Sequence, residues 1–181
     1  ILALMKRSRL WIFKAIANVY IEFVRGTPLL IQVFIVFFGT QIIGLTVSGF
    51  VSGAIAMFLN SGAYVAEIIR SGLNAVPKGQ SEAARSLGLS QRQTMQMVVL
   101  PQAIRTILPA LGNEFVSVIK EGSVISVIGV GELTFQTSVV QGASFRAFLP
   151  LIITACIYFV LTFGLTRILH GLEKGFGKAN A

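Results

Sequence analysis

The chain has 181 residues, 54% of them hydrophobic, only 12% charged, and a mean hydropathy of +0.79. Soluble domains carry about 25% charged residues, so this composition excludes an ordinary water-soluble globule and points to lipid as the solvent. The net charge of +8 then needs no nucleic-acid partner, because clustering of Lys and Arg beside membrane spans accounts for it.

The chain opens on "ILALMKRSR", an apolar run stopped by basic residues and lacking an initial Met. It reads either as what is left of a cleaved signal peptide or as the inner end of a further span, and the second reading makes five spans in the native chain. Positions 26–66 follow without one charged side chain, 41 residues in all. A span needs about 20 residues to cross roughly 30 Å of hydrocarbon, so this stretch holds two. The turn "GLTVSGFVSG" divides it, placing span A near Thr27 to Val47 and span B near Phe50 to Ile69. Gly49 and Gly53 fall in that turn, so their Gly-x-x-x-Gly spacing reads as turn chemistry rather than a dimer face. Glu22 and Arg25, just before span A, read as interfacial anchors.

Span C runs from Pro101 to Val130 and is interrupted by Glu114, Lys120 and Glu121, with Pro109 as a possible kink. Gly122, Gly129 and Gly131 mark a bend after it. Span D is the uninterrupted Ala147 to Thr166. Its single Cys156 has no partner in the chain and reads as an ordinary apolar core residue, and His170 beyond it as interfacial; neither offers a metal site. Basic residues alternate along this layout. Lys6, Arg7, Arg9, Lys14 and Arg25 precede span A, and none lies between A and B. Arg70, Lys78, Arg85, Arg92 and Arg105 lie between B and C, only Arg146 between C and D, and Arg167, Lys174 and Lys178 follow D. The positive-inside bias therefore puts the B–C loop and the C-terminus in the cytoplasm.

That loop, about 71–101, holds "KGQSEAARSLGLS". Ser81 can cap a short helix over Glu82 to Leu87, Glu82 suits its positive end, and Gly88 suits a left-handed C′ position. Ser90 and Gln93 form the pattern of a capping box that opens a second helix. Ala83 and Ala84 leave room for another surface to approach closely, and a solvated hairpin is the plainer alternative.

Two polar stripes lie within the spans. Asn60, Tyr64 and Glu67 recur at i, i+4 and i+7 in span B, and Glu114 with Glu121, beside Asn113 and Lys120, recur at seven-residue spacing in span C. Ionisable groups at membrane depth are costly and mark pathways or mutual pairs. Facing each other, the stripes would suit a zwitterion, Lys120 meeting a carboxylate and Glu114 or Glu121 an amino group. The structural alternative is that these residues fasten the bundle to itself.

"EAARSLGLSQRQTMQMVVLP" resembles the EAA motif of membrane subunits of bacterial ABC importers: Glu82, Ala83, Ala84, then Gly88, then Leu100 and Pro101 in register, with Val98 for the usual Ile. "EFVRGTPLLIQVF", "NSGAYVAEIIRSGLNAVPKGQ" and "NEFVSVIKEGSVISVIG" extend the similarity to the permeases for polar amino acids, the histidine, glutamine, glutamate, arginine and opine group. The resemblance implies an all-α polytopic helix bundle, the membrane domain of a type I ABC importer. It also implies a single permease domain over 1–181 that moves a polar amino acid inward by alternating access in the bacterial plasma membrane. It further implies a homologous or identical second permease subunit and an extracytoplasmic binding protein, separate or fused. Cytoplasmic ATPase subunits would receive the EAA loop and hold ATP and Mg, with no cofactor in this chain. "KEGS" stands where that family has Lys-Asp-Thr-Ser, so Glu121 departs from the pattern. No Gly-x-x-x-x-Gly-Lys-Ser/Thr phosphate loop is present, so hydrolysis belongs to a partner. An ion-driven secondary transporter or channel using the intramembrane Glu and Lys is the alternative, and a membrane scaffold a third.

Overall fold

The computed structural model describes residues 2–6 and 10–178; Arg7 and Arg9 of the first basic cluster, and the side chains of Lys174 and Lys178, lie outside the described residues. Every regular element among them is helical. A short α1 (Leu2–Lys6) leads to α2 (Trp11–Gly26), then α3 (Leu29–Ile42) and the long α4 (Gly49–Ala75). Two helices, α4 and the segment Phe148–Leu172, are long and apolar enough to cross a membrane on their own; two further bent pairs bring the number to four if each pair is one span. The four expected spans are thus met only on that reading.

Span A is the clearest correction. Its helix is confined to α3, whose 14 residues rise about 21 Å at 1.5 Å per residue, and it turns 109° from α2 at the break. The cause is local. Pro28 forces the residue before it out of the α region, Thr27 is extended at φ −119°, ψ 144°, and Pro28 stands at the start of α3. The "GTP" of Gly26 to Pro28 was therefore a corner, and α2 itself was not anticipated. The following turn is tighter than expected, since Ser48 caps α4 by accepting from the Val51 amide at 3.3 Å.

Helix α5 (Lys78–Ser86) forms a hairpin with a continuous rod made of α6 (Gln91–Gln93), a π-helical turn (Thr94–Val99) and α7 (Leu100–Glu121). The π turn has a chemical reason. Pro101 has no amide hydrogen and its ring clashes with the preceding turn, and just before it the Leu100 amide reaches back five residues to the Met95 carbonyl. The rod continues as a 3₁₀ segment (Gly122–Ile128), and Gly129, at φ +81°, ends it in the left-handed region, as the expected bend requires. Helix α8 (Leu133–Ser144), which sequence left as a loop, follows at 51° and is capped by Glu132, whose carboxylate accepts from the Thr134 and Phe135 amides. Helix α9 (Phe148–Lys178) packs on α7 and α8, and Tyr158 and Thr154 bond to Glu132 and Thr137. Cys156 lies on an exposed apolar face of α9, not in the core, because that helix is barely covered by the rest of the chain.

The architecture is organised by α4 running antiparallel to the rod. A Cβ added at Gly72 would lie 2.2 Å from Ile107 Cγ1, one at Gly53 2.7 Å from Ile125 Cγ2, and one at Gly49 2.8 Å from the Ile128 carbonyl oxygen. Between these contacts Ser61 donates to Glu114 at 3.3 Å. Small residues let the backbones approach, which is how membrane helices gain packing without a hydrophobic drive. Gly49 and Gly53 are accordingly helical contact residues within the chain, and the turn role expected for them is corrected.

Candidate functional site

The hairpin at the end of α4 is the first candidate. Helix α5 begins at Lys78, one turn before the expected start, because Pro77 presets the backbone at φ −57°. Ser81 therefore sits inside the helix, and the cap expected of it is not made. The far end matches expectation. Gly88 is left-handed at φ +89°, its amide donates to the Arg85 carbonyl at 3.0 Å, and the Leu89 amide donates to that of Ala84 at 3.2 Å. This paired closure is a Schellman motif. Ser90 and Gln93 complete the capping box, with Ser90 Oγ accepting from the Gln93 amide and Gln93 Oε1 accepting from the Ser90 amide.

The alanine pair divides its work. Ala84 is buried within the hairpin, while Glu82 and Ala83 face outward. Leu87, beside Gly88 at the tip, is 82% exposed. A large apolar side chain so placed marks a contact surface, and its position just before the left-handed glycine was the sequence signal for it. An open cleft of about 590 Å³ is bounded by the end of α4, the face of α5 carrying Lys78, Ser81 and Arg85, with the exposed Glu82 at its edge, and Met95 and Val99 of the π turn. Gln102 ties the arms together by donating to Gln80 Oε1 and the Val98 carbonyl. Leu100 and Pro101 do not end the loop but lie within the continuous rod, so the second arm of the hairpin and the rod are one helix.

The two polar stripes do not face each other. Asn60 is 5% exposed and donates through Nδ2 to Gln32 Oε1 at 3.0 Å. Gln32, 7% exposed, donates in turn to the Val24 carbonyl at 2.7 Å and to Thr27. One turn along, the Tyr64 ring carries the Arg25 guanidinium 5.5 Å from its centroid. Beyond it, Glu67 pairs with Lys6 at 3.1 Å and with Arg70. The α4 stripe is thus a ladder of three fastenings to α3, α2 and α1, and the partners lie far off in sequence, which is why spacing alone could not supply them. Gln32 is the residue sequence reasoning missed: a buried amide in an apolar run was its signal.

The α7 stripe is different. Glu114 is half-buried and accepts from Ser61, whereas Asn113, Lys120 and Glu121 are exposed and make no side-chain hydrogen bond or ion pair among the described residues. The rod starts at Gln91, earlier than the Pro101 expected for span C, so Lys120 stands about 43 Å along it from the hairpin tip, on the side of the bundle remote from the hairpin. No three His, Cys, Asp or Glu side chains converge among the described residues, and His170 is exposed on α9.

The family model of binding-protein-dependent transport system inner membrane components matches residues 1–178. The putative glutamine transport system permease GlnP of Rickettsia conorii is 42% identical over 96% of this chain and 80% of its own length. The arginine transport system permease ArtQ of Bacillus subtilis is 41% identical with the same coverage. Among solved structures, the crystal structure of an amino acid ABC transporter with histidines superposes with a TM-score of 0.91 at 47% identity, covering 96% of this chain and 81% of that one. The MetNI methionine ABC transporter in an inward-facing form shares the fold, with a TM-score of 0.66 at 17% identity. The fold is that of a type I ABC importer membrane domain, and the chain belongs to the binding-protein-dependent transport system inner membrane components, among the permease subunits of amino-acid ABC transporters.

Proposed function

We propose that this permease carries a polar amino acid into the cytoplasm, paired with a second permease subunit, fed by an extracytoplasmic binding protein and driven by cytoplasmic ATPase subunits seated on the hairpin. The observation that carries this reading is the hairpin itself. A closed, doubly capped helical finger presents Glu82, Ala83 and Leu87 outward and is continuous with the rod through the π turn. Movement of the finger is movement of α7. ATP and Mg stay on the partner, and binding there shifts the population between inward- and outward-open arrangements.

The bias of basic residues supports a cytoplasmic hairpin in the bacterial plasma membrane, since Arg70, Lys78, Arg85, Arg92 and Arg105 cluster toward it whereas Lys120 and Arg146 lie toward the other end. Lys120 and Glu121 on the open face of α7, with the half-buried Glu114 beside Ser61, are the substrate contacts this reading favours, Lys120 for the carboxylate and an acid for the amino group. Asn60, Tyr64 and Glu67 then position the helices rather than touch substrate.

Uptake of labelled amino acids into vesicles holding the assembled transporter tests the proposal. ATP-dependent uptake of a polar amino acid, lost in Glu82→Lys while ATPase assembly is weakened and the fold retained, is expected. Uptake that ignores ATP and follows an ion gradient would overturn it in favour of a secondary transporter.

A further inference from the structure

Helix α2 has three faces along its length. Ala17, Ile21 and Val24 are buried, the last two against Ala63 and Ala66 of α4. Ile12, Ile16, Val19 and Phe23 recur at i, i+4, i+7 and i+11 and are all more than half exposed. Lys14, Asn18, Glu22 and Arg25 form a third row, which at 100° per residue occupies an arc of about 80° between the other two. A helix buried in a bundle has no use for the charged row. A helix crossing the hydrocarbon would pay for it, and a helix in water would leave the four-residue apolar row uncovered.

One placement uses all three faces. The 109° turn between α2 and α3 swings α2 away from the direction of α3. Its contacts with Ala63 and Ala66, and the 2.7 Å bond from Tyr20 to the Leu59 carbonyl, set it across α4 between Leu59 and Ala66, just before Glu67 ends the charge-free stretch on the side toward the hairpin. Trp11, the chain's only tryptophan, stands 75% exposed at its start, and indole rings favour the headgroup level. The strip's cations, Lys14 and Arg25, outnumber its one acid, Glu22, which suits lipid phosphates.

We infer that α2 is an interfacial helix lying flat in the phospholipid surface on the hairpin side, its Ile12–Ile16–Val19–Phe23 row in the acyl chains and Lys14 and Arg25 at the phosphates. The elbow at Thr27 and Pro28 is thereby held at a fixed depth, and the ladder from α4 to Gln32, Arg25 and Lys6 ties the bundle to that level. The inference rests on the chain's place in the membrane and is independent of substrate or ATP coupling.

Fluorescence of Trp11 reads the depth directly. The assembled transporter and its Trp11→Phe variant are reconstituted in phosphatidylcholine vesicles brominated near either the glycerol end or the methyl end of the acyl chains, and the difference emission is compared. An interfacial helix sits about 5–10 Å into the headgroup–acyl boundary, so loss of Trp11 emission is greater with bromine near the glycerol. Equal quenching, none at all, or stronger quenching from the methyl end overturns the inference. None at all means the face is covered by protein or open to water. In a Cys156→Ser background, spin labels at Ile16→Cys and Asn18→Cys give a second reading. Oxygen relaxes the first more strongly and a water-soluble relaxant the second; the reverse order, or no difference, refutes the flat orientation even where uptake is normal.

Discussion

Replacing Gly72 by alanine tests the helix crossing on which hairpin and bundle meet. The new Cβ would lie 2.2 Å from Ile107 Cγ1, 3.0 Å from its Cδ1 and 3.4 Å from the Ala103 carbonyl oxygen. Carbon atoms settle at about 3.5–4.0 Å, so the gap must widen by more than an ångström. Ile107 is 8% exposed and its Cγ1 is near the branch point, so it cannot swing clear cheaply. Overpacking of this kind costs about 1–3 kcal/mol, which exceeds the roughly 0.5–1 kcal/mol that alanine gains over glycine in a helix. A net loss centred on about 1 kcal/mol, and at most about 2.5 kcal/mol, follows. Ile107→Ala alone opens a cavity and costs about 2–5 kcal/mol. In the double variant the added methyl enters the vacated space, so the losses fall short of additivity by about 0.5–3 kcal/mol. Reversible unfolding of the assembled transporter in bicelles measures all four forms, and ATP hydrolysed per amino acid delivered reports on coupling. A Gly72→Ala protein as stable as the parent, or strict additivity in the cycle, would refute the crossing as described.

The α4 ladder gives a second test. Gln32→Leu leaves the buried Asn60 amide and the carbonyls at the end of α2 without their partner, at about 1–3 kcal/mol, more than the roughly 0.6 kcal/mol an interhelical membrane bond averages. Gln32→Leu with Asn60→Leu should therefore be more stable than Gln32→Leu alone, and a further loss in the same unfolding assay counts against the network. At Gly88 nothing lies within 4 Å of an added Cβ, so Gly88→Ala costs only the backbone penalty of about 1–2 kcal/mol for a left-handed residue. Amide exchange over 78–93 should quicken while 103–121 stays protected; unchanged exchange would show that the turn does not need glycine.

Where local chemistry sufficed, the sequence was readable. Low charge announced the membrane, Gly88 and the Ser90–Gln93 pair marked the turn and second arm of the hairpin, and the EAA pattern placed the chain in its family. Span A began where expected, at Pro28, but its helix stops at Ile42, just before left-handed Gly44, and the charge-bearing helix α2 that precedes it was hidden because counting started from the uncharged run. The polar stripe of α4 was visible, but its meaning was not, since Asn60, Tyr64 and Glu67 find partners 28, 39 and 61 residues away.

The sequence by itself settled which segments are apolar, where caps and left-handed glycines stop helices, and that a small polar finger stands between two spans, because these depend on neighbours within a turn or two. The tertiary structure decided which face of each helix meets which. Packing set Gly72, Gly53 and Gly49 against Ile107, Ile125 and Ile128. It turned the α4 stripe toward α1 to α3 and left Lys120 and Glu121 on the open face of α7. A polar side chain in lipid must find a partner, and only the assembled bundle determines which one comes within reach.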